Sequence, residues 1–247
     1  MKVAFYCILY LTYEIVEANI SGEDDCGFSE AWLEQLTIWR EIQKSGFHRE
    51  LVTEVLCSTE IPGDLRVLLV QRLPSGVYID RYQLASHRSE AALQVLLDTE
   101  LDLEAPTYSS ADFTTFLFPS WDLDGGGVRR LLAMVPIHMR YQRPSRSGER
   151  WERVDIEAPH LLLRTDSCKQ PPLLPPYRLV ESPCTAHNLS TCTWLEVPPR
   201  QVQTALTLHV PVGDQSLVVS VCAGTLLATL FCFGAVASAV CKHGLRR

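Results

Sequence analysis

From Gln215 to Cys241 the chain carries no charged residue, and the stretch LVVSVCAGTLLATLFCFGAVASAV, Leu217 to Val240, is almost wholly apolar or small. At about 1.5 Å of rise per residue, its 24 residues make a helix of about 36 Å, enough to cross a hydrocarbon core of about 30 Å. A helix buried in a soluble domain would usually be shorter and keep a polar face. Ser220, Thr225, Thr229 and Ser238 are compatible with a span, because a hydroxyl can bond back to a carbonyl of its own helix. Whatever precedes Leu217 therefore has to fold beside a membrane and reach it through one helix.

The flanks set an expected orientation. Lys242, Arg246 and Arg247 follow the apolar run, whereas the first cation upstream of it is Arg200. An excess of cations marks the cytosolic side, so residues 241–247 are expected as a cytosolic tail and the rest across the membrane. A signal for GPI attachment also ends in an apolar run, but it needs a polar spacer of about 8–12 residues after a small-residue site. Gly213 and Ser216 adjoin the apolar run directly.

The start of the chain, MKVAFYCILYLTYEIV, has one cation and then an apolar run, the pattern of a short secretory leader. Small residues at Val16 and Ala18 predict cleavage after Ala18, giving a leader at 1–18, a lumenal domain at 19–216 and a span at 217–240. Two Asn-x-Ser sequons, Asn188-Leu189-Ser190 and Asn19-Ile20-Ser21, are expected glycosylation sites, Asn188 having the better context. The chain has nine cysteines, five of which (Cys26, Cys57, Cys168, Cys184 and Cys192) fall on the expected lumenal side, where disulfides form. Five is odd, and Cys184 and Cys192 are close enough in sequence to staple one loop. No CxxC, CxxH or HExxH pattern supports zinc. The formal net charge of −7 argues against nucleic-acid binding, which wants basic surface.

Between Ser29 and Lys44, Trp32, Leu36, Trp39 and Ile42 share one helical stripe, predicting a short amphipathic helix. After Gly46 short β-branched and apolar runs alternate with turn residues. Strands are expected near 51–56, 65–70, 77–82, 101–103, 114–118, 129–135, 137–141, 154–156, 161–164, 192–197 and 205–210, with a competing helix at 89–98. Many short strands and few helices predict a mainly β domain, an antiparallel sandwich with one C-terminal transmembrane helix. Seven prolines between Ser167 and Arg200 argue for an exposed loop or insertion there.

No constellation reads as a self-sufficient active site. Asp122-Leu123-Asp124 has the form of a metal-binding DxD, but no βαβ pattern surrounds it, and a calcium loop would need Glu where Ala133 stands. A polar turn before three glycines explains it better. His87, His138 and His160 lack partners at motif spacing, and no nucleophile elbow, P-loop or dinucleotide fingerprint occurs. Arg140, Arg143, Arg146, Arg150 and Arg153 crowd around Pro144, as solvated loop ends or as a surface for an acidic partner. Catalytic residues, a metal site and a cofactor are accordingly not expected.

Two stretches are not generic strand-and-turn sequence. One is Gly46-Phe47-His48-Arg49 followed by LPSGVYIDRYQL (Leu73 to Leu84). The other is PIHMRYQRPS (Pro136 to Ser145), continuing to Val154-Asp155-Ile156 and Pro159. With Leu103-Glu104-Ala105-Pro106 and the C-terminal span, the chain resembles the PIG-X family, accessory subunits of GPI mannosyltransferase I. The resemblance covers roughly Gly46 to the C-terminus. It implies a single-pass type I protein of the endoplasmic reticulum membrane with a lumenal domain. It also implies a non-catalytic role: stabilising PIG-M, the multi-spanning subunit that transfers the first mannose from dolichol-phosphate-mannose to the GPI precursor. In that pair the catalytic DxD belongs to PIG-M, so Asp122 and Asp124 inherit no role. The rival reading is a type I secretory-pathway or cell-surface binding protein with a β-sandwich ectodomain.

Overall fold

Alternating apolar residues pair into antiparallel ladders, and the computed structural model describes them over residues 30–57, 64–86, 93–123, 129–166, 176–198 and 205–244. In chain order the elements are α1 (Glu30–Leu33), β1 (Thr37–Gln43), β2 (His48–Cys57), β3 (Arg66–Leu73), β4 (Val77–Tyr78), α2 (Arg81–Ser86), β5 (Gln94–Leu97) and β6 (Phe113–Phe118). Then come β7 (Trp121–Leu123), β8 (Arg129–Met139), β9 (Trp151–Glu157), β10 (His160–Arg164), β11 (Arg178–Thr185), β12 (Asn188–Val197), β13 (Ala205–Pro211) and α3 (Val218–Gly244). One sheet runs β1-β2-β8-β4, with β7 also on β8; a second runs β11-β12-β10-β3-β6-β5; β9 and β13 form a separate ribbon.

The inner faces of all three build one core. Ile38, Leu51, Val55, Leu131, Val135 and Ile137 of the first sheet pack with Val67, Leu69, Leu73, Phe113, Leu161 and Leu195 of the second, and with Ile156 and Val210 of the ribbon. This is the sandwich-like β domain expected from the alternation, followed by one apolar helix. Polar groups interrupt the core at one place. Arg40 and Gln71 share the inward parity of their strands, and Arg40 Nη2 donates to Gln71 Oε1 at 2.9 Å across the sheets. Burial pulls the Arg40 pKa down to about 10, and its Nε and Nη1 find no acceptor. The second sheet is apolar on its outer face too, where Leu68, Leu162 and Trp194 form a smaller cluster. That explains why β3 reads RVLLVQRL rather than as strict alternation.

Several expectations are corrected. The amphipathic helix shrinks to one turn, α1, because Thr37–Gln43 pairs with β2 through seven residues. Its true period is two, with Ile38 and Arg40 buried and Trp39 exposed. The strand expected at 77–82 stops at Tyr78, since Asp80 caps α2: Tyr82 N donates to Asp80 Oδ1 at 2.8 Å and Leu84 N to Asp80 O at 2.9 Å. At 101–103 a turn replaces a strand, because Asp102 Oδ1 accepts from the backbone of Glu104 and Ala105. The helix expected at 89–98 lies outside the described residues up to 92, and Gln94–Leu97 is a strand on β6.

The strands at 129–135 and 137–141 are one, β8, running straight through Pro136. Met139 N donates to Phe47 O beside β2, and Arg140 N donates to Gly76 O on the opposite side. By alternation Pro136, like Arg140, directs its nitrogen away from β2. It falls between the pairings of β7 and β4, so no ladder bond is lost to it among the described residues. The proline-rich 167–200 region is not one loop: Arg178–Val197 is the β11–β12 hairpin. Pro183 fits there because β11 is an edge strand with a bulge between Pro183 and Thr185.

Candidate functional site

The stretches that carry the resemblance are far apart in the chain and meet at one end of β8. Antiparallel pairing sets His138 opposite His48 on β2 and opposite Tyr78 on β4. The His138 ring stacks on Tyr78 at 5.0 Å and receives the edge of His48 at 4.4 Å. From above, α2 places Gln83, whose Oε1 accepts from His138 Nε2 at 2.6 Å. Two residues on, Arg140 lies on the same face. Its guanidinium sits 4.8 Å from the centroid of the Tyr78 ring, and Nη1 donates to Ala105 O at 2.6 Å. The Asp102 turn holds that carbonyl in place.

Backbone bonds complete the knot. Met139 N donates to Phe47 O, Arg140 N to Gly76 O, and Thr107 N to Tyr141 O, at 2.9, 2.9 and 3.0 Å. Gly76 is pressed against the ribbon: a Cβ there would stand 2.8 Å from Val154 Cγ2. Each of the resembling stretches, down to Val154 on β9, is thus a side of one structure.

The electrostatics suit positioning rather than proton transfer. Burial, then the neighbouring His48, lowers the His138 pKa, which keeps the imidazole neutral. Burial raises the Tyr78 pKa against the opposing pull of Arg140, and burial lowers that of Arg140. A neutral imidazole, a protonated phenol and a cation spent on a carbonyl and a ring tie segments together. Among the described residues no group of three or more His, Cys, Asp or Glu could hold a metal ion.

Beyond the knot, Arg140 to Ser145 leads to the root of α3. Ser145 N donates to Gly213 O at 2.7 Å, Gln215 N returns to Ser145 O at 3.0 Å, and Arg146 Nε donates to Gln215 Oε1 at 2.9 Å. Val212 N donates to Arg150 O, and β13 pairs with β9 just before it. Asp214 Oδ1 caps the first turn by accepting from Ser216 N at 2.8 Å. Helix α3 is long and apolar enough to cross a membrane, and no residue from Val218 to Lys242 is buried. Thr225 and Thr229 return their hydroxyls to backbone carbonyls of the helix.

The other residues singled out in the sequence are dispersed. Cys184 and Cys192 form a disulfide across the β11–β12 hairpin, Cys184 standing in the bulge. Asn188 opens β12 beside the two-residue turn, while Asn19 lies outside the described residues. Asp122 is in β7 opposite Arg130, and Asp124 and His87 lie outside the described residues. His160 bonds to Glu196, which Arg178 also engages. Of the arginine cluster, Arg140 is buried in the knot, Arg143 sits over the Tyr108 ring at 4.6 Å and Arg153 pairs with Asp155. Sequence reasoning gave no role to Tyr78, Gln83 and His138. The available signal was parity along PIHMRY, which puts His138 and Arg140 on one face and Ile137 and Met139 in the core.

Similarity to known proteins covers the segments that form this knot. The family model described as PIG-X / PBN1 matches residues 44–241, from the turn before β2 into the end of α3. The chain is 32% identical over 241 residues to the human protein named "GPI alpha-1,4-mannosyltransferase I, stabilizing subunit", covering 95% of this chain and 90% of that one. It is 30% identical over 230 residues to the rat protein of the same name, covering 89% and 88%. Protein PBN1 of Gibberella zeae is 34% identical over 93 residues, covering 36% of this chain and 18% of that one. The family model spans the knot, the strands from β2 to β13 and most of the apolar helix, and the chain belongs to the PIG-X / PBN1 family.

Proposed function

We propose that this chain is the non-catalytic, stabilising subunit of GPI alpha-1,4-mannosyltransferase I. The observation that carries the proposal is the likeness to proteins named as that stabilising subunit, which runs from the β domain through the apolar helix. The knot supports it: its strongest polar groups are consumed in holding strands together, leaving a rigid shape to be recognised. In this reading α3 spans the endoplasmic reticulum membrane, the β domain is lumenal and the C-terminus is cytosolic. The partner is PIG-M, which carries out transfer of the first mannose from dolichol-phosphate-mannose to the GPI precursor. Binding only the folded partner stabilises it by mass action, in proportion to the logarithm of the concentration relative to Kd. Gly224 and Ala228, one turn apart on α3, let a partner helix approach closely. Asn188, on the hairpin turn, is proposed as the glycan-bearing residue.

The test is deletion of the gene followed by measurement of GPI-anchored surface proteins and of PIG-M abundance. Both should fall, and both should recover with the intact chain. Normal anchors with unchanged PIG-M would refute the proposal. A glycan at Asn188 that stays sensitive to endoglycosidase H supports residence in the endoplasmic reticulum, whereas a complex glycan favours a surface protein.

A further inference from the structure

The loop that joins the knot to β9 is fastened to the root of α3. Ser145 makes both an N–H and a C=O bond to the segment Gly213–Gln215, in an isolated parallel bridge opposite Asp214. Arg146 adds a side-chain bond to Gln215, only two residues before Leu217. Two extended residues reach no further than about 7 Å. If α3 spans a bilayer, its apolar run begins at Leu217, so Gln215 lies within about 7 Å of the hydrocarbon boundary, and Ser145 and Arg146 are hydrogen-bonded to it. That distance is the thickness of one headgroup layer, the difference between a core of about 30 Å and a total of about 40–45 Å, halved.

The loop fastened there has the chemistry of the layer. Arg143, Arg146 and Arg150 are all exposed, on a chain whose net charge is −7. Arg143 stacks on Tyr108 at 4.6 Å, which leaves its edge donors free to point outward. Tyr141 and Tyr108 flank the loop, 75% and 56% exposed, and Trp151 closes it at 58%. Tyr and Trp favour the boundary between lipid and water, and an Arg guanidinium matches phosphate oxygens with a two-pronged donor set. Acids lie in this neighbourhood too, among them exposed Glu152 beside Trp151. Glu149 stands on the loop itself, and Asp214 has one carboxylate oxygen engaged in capping Ser216. Between Arg143 and Arg150 the balance remains cationic.

We propose that the Arg143–Arg150 loop, with Tyr141 and Tyr108, is a membrane foot: it rests on phospholipid phosphates of the leaflet from which α3 emerges. The helix and the loop then form two points of support, and the domain stands on the bilayer in one attitude instead of swinging about its stalk. The phosphate is common to zwitterionic and anionic lipids, so phosphatidylcholine alone suffices as the partner surface. This inference rests on the reading of α3 as a span, and not on the role in mannosyl transfer.

The experiment uses the full chain reconstituted into phosphatidylcholine vesicles carrying a radiolabelled lipid, with p-benzoylphenylalanine placed at position 147 or at position 187. Ser147 is exposed on the loop. His187 is exposed on the β11–β12 turn, which the register places at the end of the second sheet opposite the knot. Illumination should transfer lipid label to position 147 at least tenfold more than to position 187. Adding Arg143→Gln and Arg146→Gln should reduce the label at 147 at least threefold while the chain remains in the vesicles after an alkaline carbonate wash. Equal labelling at the two positions in a retained chain overturns the foot alone. Unchanged labelling of the double variant overturns the role of the arginines. Loss of the wild-type chain in the wash overturns the span and the foot together. In membranes that also contain the rest of the transferase, a cross-link from 147 to protein in place of lipid would make the loop a protein interface and refute the proposal.

Discussion

Gly76→Ala is the most informative single change in the knot. The added methyl would stand 2.8 Å from Val154 Cγ2 and 3.0 Å from Cγ1, closer than real Cβ contacts. Val154 is 7% exposed and β-branched, so it cannot swing aside as a long flexible side chain would. Gly76 O cannot retreat either without loosening the bond from Arg140 N at 2.9 Å. Overpacking of this kind costs about 1–3 kcal/mol, which in a domain of this size lowers Tm by roughly 2–12 °C. Val154→Ala alone removes two buried methyl groups and costs about 1.6 kcal/mol at about 0.8 kcal/mol each. The double variant is the real test, because removing the isopropyl group makes room for the new methyl. It should be more stable than the sum of the two single effects by about 1 kcal/mol or more. Urea unfolding of the detergent-solubilised chain, followed by tryptophan fluorescence, measures all four corners of the cycle. Strict additivity, or a Gly76→Ala variant as stable as wild type, would show that the contact between LPSG and the β9 ribbon does not constrain the fold.

Three further outcomes follow from groups already described. His138 has a lowered pKa in the folded state, so the unfolded chain binds that proton more readily; its contribution is complete above about pH 6.5 and is lost as the pH falls below it. His138→Gln should flatten the fall in stability below about pH 6.5, and an unchanged slope in urea midpoints would refute this. Arg40→Met removes a buried cation whose pKa depression corresponds to roughly 3 kcal/mol, while orphaning Gln71 Oε1 at about 1–3 kcal/mol. The variant should therefore equal or exceed wild type in thermal unfolding, and a loss above about 2 kcal/mol would contradict it. Replacing both Cys184 and Cys192 with Ala opens a link of sequence separation 8 and should cost roughly 2–3 kcal/mol by loop entropy, read as a lower urea midpoint under oxidising conditions.

Local physics was enough for a good part of this protein. An uncharged run longer than a bilayer can only be satisfied as a helix, and residues of period two bounded by Pro, Gly and Asp can only bury one face as strands. One long apolar C-terminal helix and most of the eleven expected strands therefore read correctly from composition and spacing, as did the antiparallel, β-rich class. The failures came where a distant segment decided. Trp32, Leu36 and Trp39 fit a helix until β2 offers Thr37–Gln43 a full ladder of hydrogen bonds. Pro136 and Pro183 look like strand breakers until the sheet order shows which side of each strand is open. Arg140 is indistinguishable in sequence from Arg143 and Arg146. Only the approach of Ala105 and Tyr78 buries it, while Arg143 stays exposed over Tyr108 and Arg146 at the root of α3. Sequence patterning determined which faces must leave water, because that depends on each residue and its near neighbours. Tertiary structure decided which polar groups became internal supports, because a buried donor is tolerated only where a remote acceptor arrives to meet it.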